Sequence, residues 1–447
     1  MKQFIALTLA LIIPHQTFLY AWGEHSLGTY PALRIDFELS QAKKVKVESL
    51  ESFLLAEEDT LVSFLDEKDK LYSAQFPSYP LLPNELKLKK GNSKAEIKKK
   101  FLMAIRINPN FKTLSYIQTL PGENFPNCRK LKAEKVTIFK DNSFWDGVHF
   151  CELSLGQSVH PIDIIATASD EPDYGIDIGL FEDNESDYGK IYGFGQQSYG
   201  NPALEFSSQT PFHIGYYYEN FVMFGLAGYL KKNYPHFRAQ QFLDLAKFAF
   251  SKGHDYWGYR FLGWGLHYVQ DLTQPYHSTV SPNASTASLM WVNLKSGLGF
   301  ETSMKQTITL LSNRHLVIED IQRHSLTNIT KKREISHPYI LAFQNTKNDS
   351  AYPKFDASYV VSVVARESNS KAKILDKAIV EAVPEKFVDD PTHSYDSHNG
   401  NENVYDYLIR EDPKSLELLS PSLIDLFQSF GSHSRNFVKA GIESKKK

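Results

Sequence analysis

Cysteine is scarce: the 447 residues contain two, Cys128 and Cys151. A scaffold stapled by several disulfides is therefore excluded. Two cysteines allow one pairing, and both a Cys128–Cys151 bridge and a pair of buried thiols remain open. Long apolar runs are missing too. No stretch reaches the roughly 20 residues that a bilayer-spanning helix needs. Neither sign of charge dominates: the net charge is −3, so no global positive field points to nucleic acid as the main partner. No internal repeat and no low-complexity linker splits the chain. Residues 22–447 are accordingly read as one domain.

What is present suits a water-soluble globular protein, with 42% hydrophobic and 23% charged residues. Aromatic residues are frequent at 13%, enough to fill a large core or to line a cleft. The N-terminus reads as a signal peptide over residues 1–21. Lys2 supplies the positive start, Phe4 to Ile13 the apolar run, and Ala21 a small residue before the cut. A secreted or periplasmic location follows. Cleavage after Ala21 makes Trp22 the first residue and frees an α-amino group that can bind a metal.

Helical periodicity dominates the rest, and the expected class is all-α. Apolar spacing predicts helices over 48–72, 94–120 (interrupted at Pro109), 237–251, 255–272, 304–327, 357–383 and 421–442. Gly253 and Pro275 bracket the 255–272 pattern as a helix stop and a helix breaker. Residues 165–212, rich in Gly, Asp, Ser and Tyr, read as long loops. A weak strand signal lies at 135–139. Glu85 to Lys100 carries seven lysines and two glutamates, the pattern of a solvated face or, alternatively, of a patch for anionic lipid.

The strongest local signal is Leu266-His267-Tyr268-Val269-Gln270-Asp271-Leu272-Thr273-Gln274-Pro275-Tyr276-His277. His267 and Asp271 are four apart and share a helix face. His277 follows just past the break at Pro275. A lone histidine in an apolar helix is ordinarily a hydrogen-bonded core residue. Three zinc-type ligands in so short a stretch point instead to metal. His315 and Glu319 repeat the four-residue spacing further on, a pairing common by chance on helices.

With these motifs the chain resembles the zinc-dependent phospholipase C family, whose fold is shared with the single-strand-specific zinc nucleases. The resemblance covers the N-terminus and about residues 165–320. It leaves an enlarged segment at about 36–160 without a counterpart. It implies three zinc ions held by Trp22, His25, Asp173, His213, His267, Asp271, His277, His315 and Glu319. In that scheme Trp22 and His25 hold one ion. Asp173, His213 and His267 hold a second, with Asp271 bridging the two. His277, His315 and Glu319 hold the third. Asp170 competes with Asp173 for the mid-chain role. The resemblance further implies phosphodiester hydrolysis by a zinc-activated water, with Asp173 as the catalytic carboxylate. Glu319, the Pro275-Tyr276-His277 turn and the absence of a basic charge favour a phospholipid at a membrane surface over nucleic acid as substrate. A non-catalytic exported zinc protein that binds a partner or membrane is the contrasting class. N-terminal sequencing of the exported chain is expected to read Trp22 first; a chain still beginning at Met1 would remove the amine from the ligand set.

Overall fold

The computed structural model describes residues 24–283, 301–395 and 403–446. The signal-peptide stretch and Trp22 lie outside the described residues. At the centre is the helix Asp255–Asp271, in which every residue after Asp255 is buried. A helix that is apolar and aromatic all round must be enclosed on all sides. Three helices enclose it: Pro235–Ser251, Pro161–Asp170 and the C-terminal helix Pro413–Ile442. The N-terminal helix Ser26–Arg34 packs across Pro161–Asp170 and the C-terminal helix. The long helix Glu301–Lys331 and the helix Arg366–Ala382 complete the frame around the other end of the site.

One glycine sets how closely the centre packs. A Cβ on Gly263 would fall 2.5 Å from the Ala168 Cβ and 2.6 Å from the Ile165 carbonyl oxygen. Only glycine lets the central helix approach Pro161–Asp170 this closely. That approach matters because His267 lies one turn beyond Gly263, and Asp173 follows directly from the partner helix.

Helix accounts for 59% and strand for 4% of the structure, so the helical class holds. One strand falls where a helix was expected, and the others in stretches to which the periodicity assigned no element. Tyr116–Thr119 pairs with His149–Glu152, which also pairs with Arg129–Leu131. Val45–Lys46 pairs with Ser158–Val159. The 94–120 pattern is helical only over Ile97–Ala104. Arg106 then takes a positive φ of 51° and the chain turns into a strand. The 135–139 stretch forms no strand. Its Ile138 N–H and Thr137 hydroxyl both donate to the single Tyr174 carbonyl, a pairing too short for a ladder. Within the expected 165–212 loops, the helix Pro161–Asp170 extends to Asp170 and short 3₁₀ turns follow. Cys128 and Cys151 form a disulfide that ties this sheet together.

The enlarged segment joins the common core. Phe53, Leu54, Leu61 and Phe101 are fully buried in the same cluster as Phe261 and Leu262. Lys90, Lys87 and Lys98 of the lysine run meet Asp59, Asp66 and Glu51, as a solvated charged face does. The segment also serves two buried arginines. The Arg238 guanidinium donates to the carbonyls of Ile105 and Arg106, and that of Arg260 to the carbonyl of Thr113.

Those arginines clamp the turn that carries Asp173. On one side Arg260 makes a two-pronged ion pair with Glu171 at 2.9 and 2.7 Å. The Trp264 indole N–H donates to the same carboxylate. On the other side Arg238 donates twice to one Asp177 oxygen, at 2.9 and 2.7 Å, and the Tyr268 hydroxyl donates to the other. All four charged residues are at most 2% exposed. A buried pair of this kind is costly to break because the survivor keeps its charge without a partner. Arg260→Met is therefore expected to lower unfolding free energy by about 3–5 kcal/mol, read from urea denaturation. Adding Glu171→Gln to it should restore part of that loss; a double variant no better than the single one would contradict the clamp.

Candidate metal centre

Four separate parts of the chain bring the cluster together. His25 sits immediately before the N-terminal helix, and Asp173 lies in the clamped turn Glu171–Tyr174. His213 ends the short helix Thr210–His213. His267 and Asp271 share one face of the central helix. The oxygens of Asp271 face different partners. Its Oδ1 is 3.4 Å from His25 Nε2, while its Oδ2 is 3.0 Å from His213 Nδ1 and 3.2 Å from His267 Nε2. Asp173 lies across from it, with Oδ1 3.7 Å from both His213 Nδ1 and His267 Nε2, and Oδ2 3.8 Å from His25 Nε2.

A further triplet stands alongside. His277 comes from the one-turn helix Pro275–Ser278, and His315 and Glu319 from the long helix. Glu319 Oε1 is 3.3 Å from His277 Nε2 and 2.6 Å from His315 Nε2. The Tyr276 ring lies flat on His315, and its hydroxyl donates to Asp376, which also pairs with Arg314. The two halves are linked through the backbone: Gly215 N–H donates to the His277 carbonyl at 2.8 Å.

The ligand atoms fall into three triplets, His25–Asp173–His267, His213–His267–Asp271 and His277–His315–Glu319, each with its atoms within 4.8 Å of one another. Every described residue of the expected set thus falls in one of these groups, the first two sharing His267 and the third adjoining them through the His213–His277 backbone contacts. Trp22 is outside the described residues. Asp170 is not in any of these triplets. One of its oxygens accepts the Ser26 N–H at 3.2 Å, and it stands behind the cluster. Asp173, and not Asp170, has an oxygen among the triplet atoms, while the second Asp170 oxygen is buried without a hydrogen-bond partner.

Could these residues hold metal ions? The hydrogen bonds on the far side of the rings answer this. His267 Nδ1 lies 2.7 Å from the Ser169 carbonyl, and His277 Nδ1 lies 2.9 Å from the His213 carbonyl. A carbonyl only accepts, so Nδ1 carries the proton in both rings and Nε2 is left with a lone pair. His25 Nδ1 faces the Gln270 amide oxygen at 2.9 Å. That amide is oriented by its NH₂, which donates to Thr29 and Ser434. Three Nε2 lone pairs therefore point into the cluster. The Nε2 atoms of His25, His277 and His315 are buried without hydrogen-bond partners, as is Asp271 Oδ1. Donor atoms of one tetrahedral zinc stand roughly 3.3 Å apart, close to the spacings found here. Histidines with carbonyl or amide acceptors behind them are the usual arrangement at metal sites.

The electrostatics agree. Burial holds the imidazoles of His267 and His315 neutral, with pKa values lowered to about 3. Burial also pushes the Asp173 carboxyl well above its ordinary range, helped by the charges of Asp271, Asp170, Glu319 and Asp177. For Asp271 burial acts in the same direction, but it is outweighed by His267, His213 and His25, which hold it well below the carboxylate range. Burial raises Asp170 to about 6. Arg238 and Arg260 are already committed to Asp177 and Glu171. The remaining buried acids outnumber the protein cations beside them, and metal ions would redress the balance.

Sequence reasoning missed the supporting residues. Gln270 was detectable only as a polar residue in an apolar helix, and Ser169 acts through its backbone, which leaves no side-chain signal. Asp177 stands 3.7 Å from His213 Nε2, on the ring edge away from His267. At that distance it is a charged neighbour of the ring and not its hydrogen-bond partner, since His213 Nε2 is buried without one. Asp177→Asn is expected to weaken metal retention about 10- to 100-fold, measured by chelator competition; retention equal to the parent protein would assign Asp177 to folding alone. No family model matches this chain, and it matches neither a curated protein nor a solved structure.

Proposed function

We propose that the chain is a zinc-dependent phosphodiester hydrolase of the phospholipase C type, acting on phospholipid head groups. The observation that carries this reading is the gathering of five imidazoles and three carboxylates into adjoining buried triplets, with the Nε2 lone pairs of His25, His267 and His277 directed inward. Nitrogen and oxygen donors of this kind suit zinc. His25, Asp173, His213, His267 and Asp271 would hold two ions, Asp271 lying between them, with Trp22 completing the first. His277, His315 and Glu319 would hold the third. Bound there, zinc supplies positive charge against an anionic phosphoryl group and acidifies water to a pKa of about 7.

The chain's own contribution is orientation and proton handling. The clamped Asp173 turn fixes one carboxylate at the mouth of the cluster. From there Asp173 orients the attacking water and accepts its proton. The water oxygen bonds to phosphorus as the bond to the diacylglycerol oxygen breaks, and the departing oxygen takes up a proton from solvent water while Asp173 later returns its own to solvent. The long side chains packed behind the ligands keep them from relaxing when substrate enters.

The purified mature protein is expected to release phosphorylated head group from phosphatidylcholine, to lose that activity to a chelator and to regain it with zinc. Asp173→Asn should lower kcat by about 10²–10⁴. Single-stranded DNA and a generic phosphodiester serve as parallel substrates. Cleavage of DNA alone would move the assignment to the nuclease reading. Inactivity on all three, with and without zinc, would favour an exported metal-binding protein without catalysis.

A further inference from the structure

The ligand atoms are not equally enclosed. His25, His267 and Asp271 are 0% exposed, whereas Asp173, His213, His315 and Glu319 retain 5–7%. His213 is thus among the ligands that keep some contact with solvent. The chain leaves His213 directly into Ile214-Gly215-Tyr216-Tyr217-Tyr218-Glu219-Asn220-Phe221-Val222-Met223-Phe224. Tyr217 packs against the main core, but the other buried apolar side chains of this segment do not. Ile214, Met223, Ala227 and Leu230 form a small separate cluster with Tyr199, against which Tyr216, Phe224 and Tyr229 pack. Asn220 caps the helix Phe221–Leu226, accepting the Met223 N–H at 2.9 Å. The helix thereby presents Phe221 outward, 87% exposed, with Tyr218 beside it in sequence at 37%.

Two exposed lysines, Lys231 and Lys232, close the segment. The Lys231 ammonium lies 5.0 Å from the centre of the Phe224 ring. The backbone carbonyls of both lysines are fastened, by Ser78 and Ser198. Among the described residues neither ammonium has a carboxylate partner. A single exposed apolar residue needs no explanation. Two exposed aromatic rings and two exposed cations, in the segment that follows directly on His213, are a different matter. Aromatic rings prefer the head-group level of a bilayer, and lysines beside them meet lipid phosphates.

We infer that the 214–232 segment is a docking lip for a phospholipid bilayer carrying anionic lipid. Phe221 and Tyr218 enter the interface, and Lys231 and Lys232 face the phosphates. The lip would set the His213 side of the cluster against the membrane surface. This inference rests on the phospholipase reading for its purpose, but its test stands apart from it.

The test uses full-length mature protein and cosedimentation with phosphatidylcholine vesicles containing phosphatidylglycerol. Phe221→Ser should weaken vesicle binding about 10- to 100-fold. Lys231→Gln with Lys232→Gln should remove the salt-sensitive part of binding. Turnover of a short-chain phosphatidylcholine kept monomeric should be unchanged in both variants, and that also checks that they fold. Vesicle binding by Phe221→Ser equal to that of the parent protein would overturn the lip, as would a parent protein that binds no vesicles. Hydrolysis of monomeric substrate with binding indifferent to Phe221 would sink the lip and leave the hydrolase reading standing. Phe221-dependent binding by a protein that cleaves no phosphodiester would support the lip and sink the hydrolase reading.

Discussion

Burying acids and imidazoles together is the constraint around which this protein is built. Asp173 and Asp271 lie within a few ångströms of His25, His213 and His267, and Glu319 of His277 and His315, all but out of water. Their charge cannot be left to solvent. Burial keeps His267 and His315 neutral, so the rings donate lone pairs rather than positive charge. Balance then has to come from metal ions or from protons on the carboxylates. This is the physical reason the cluster reads as a metal centre instead of as a network of salt bridges.

Holding such a cluster needs rigidity behind it. The turn that carries Asp173 is gripped on both sides by buried arginines, and those arginines are braced in turn by backbone carbonyls from the enlarged 36–160 segment. The strand Tyr116–Thr119 adds a contact of its own: Gln118 accepts the Tyr174 hydroxyl and donates to Ser26 beside His25. The segment that the family resemblance leaves unexplained is thus a buttress for the metal centre. It shares the hydrophobic core with the helices and adds no separate core among the described residues.

The buried centre and the exposed rim place opposite demands on the same short stretch of chain. His213 must be locked, and the Gly215 bond to the His277 carbonyl locks it. A few residues later the chain carries Phe221 into solvent and gathers most of its remaining apolar side chains into a small cluster of their own. Separation from the main core lets this rim be exposed without loosening the ligands.

Much of the centre was legible in the linear sequence because its ligands follow helix periodicity. His267 with Asp271, and His315 with Glu319, share faces simply because four residues make about one turn. The helical class and the extents of the helices at 237–251 and 255–272 follow from the same periodicity. What depends on contacts distant in sequence was not legible. Periodicity could not show that Arg106 turns the chain from helix to strand, that Thr137 and Ile138 spend their donors on Tyr174, or that the two cysteines meet. It could not separate Asp170 from Asp173 either, since both follow the same helix and only packing decides which carboxylate enters the cluster. The sequence by itself determined which side chains could ligate and which of them share a helical turn, because that is local geometry. Only the tertiary structure decided which nitrogen of His25, His267 and His277 faces inward, because the proton on the other nitrogen is held by a carbonyl or amide from elsewhere in the fold.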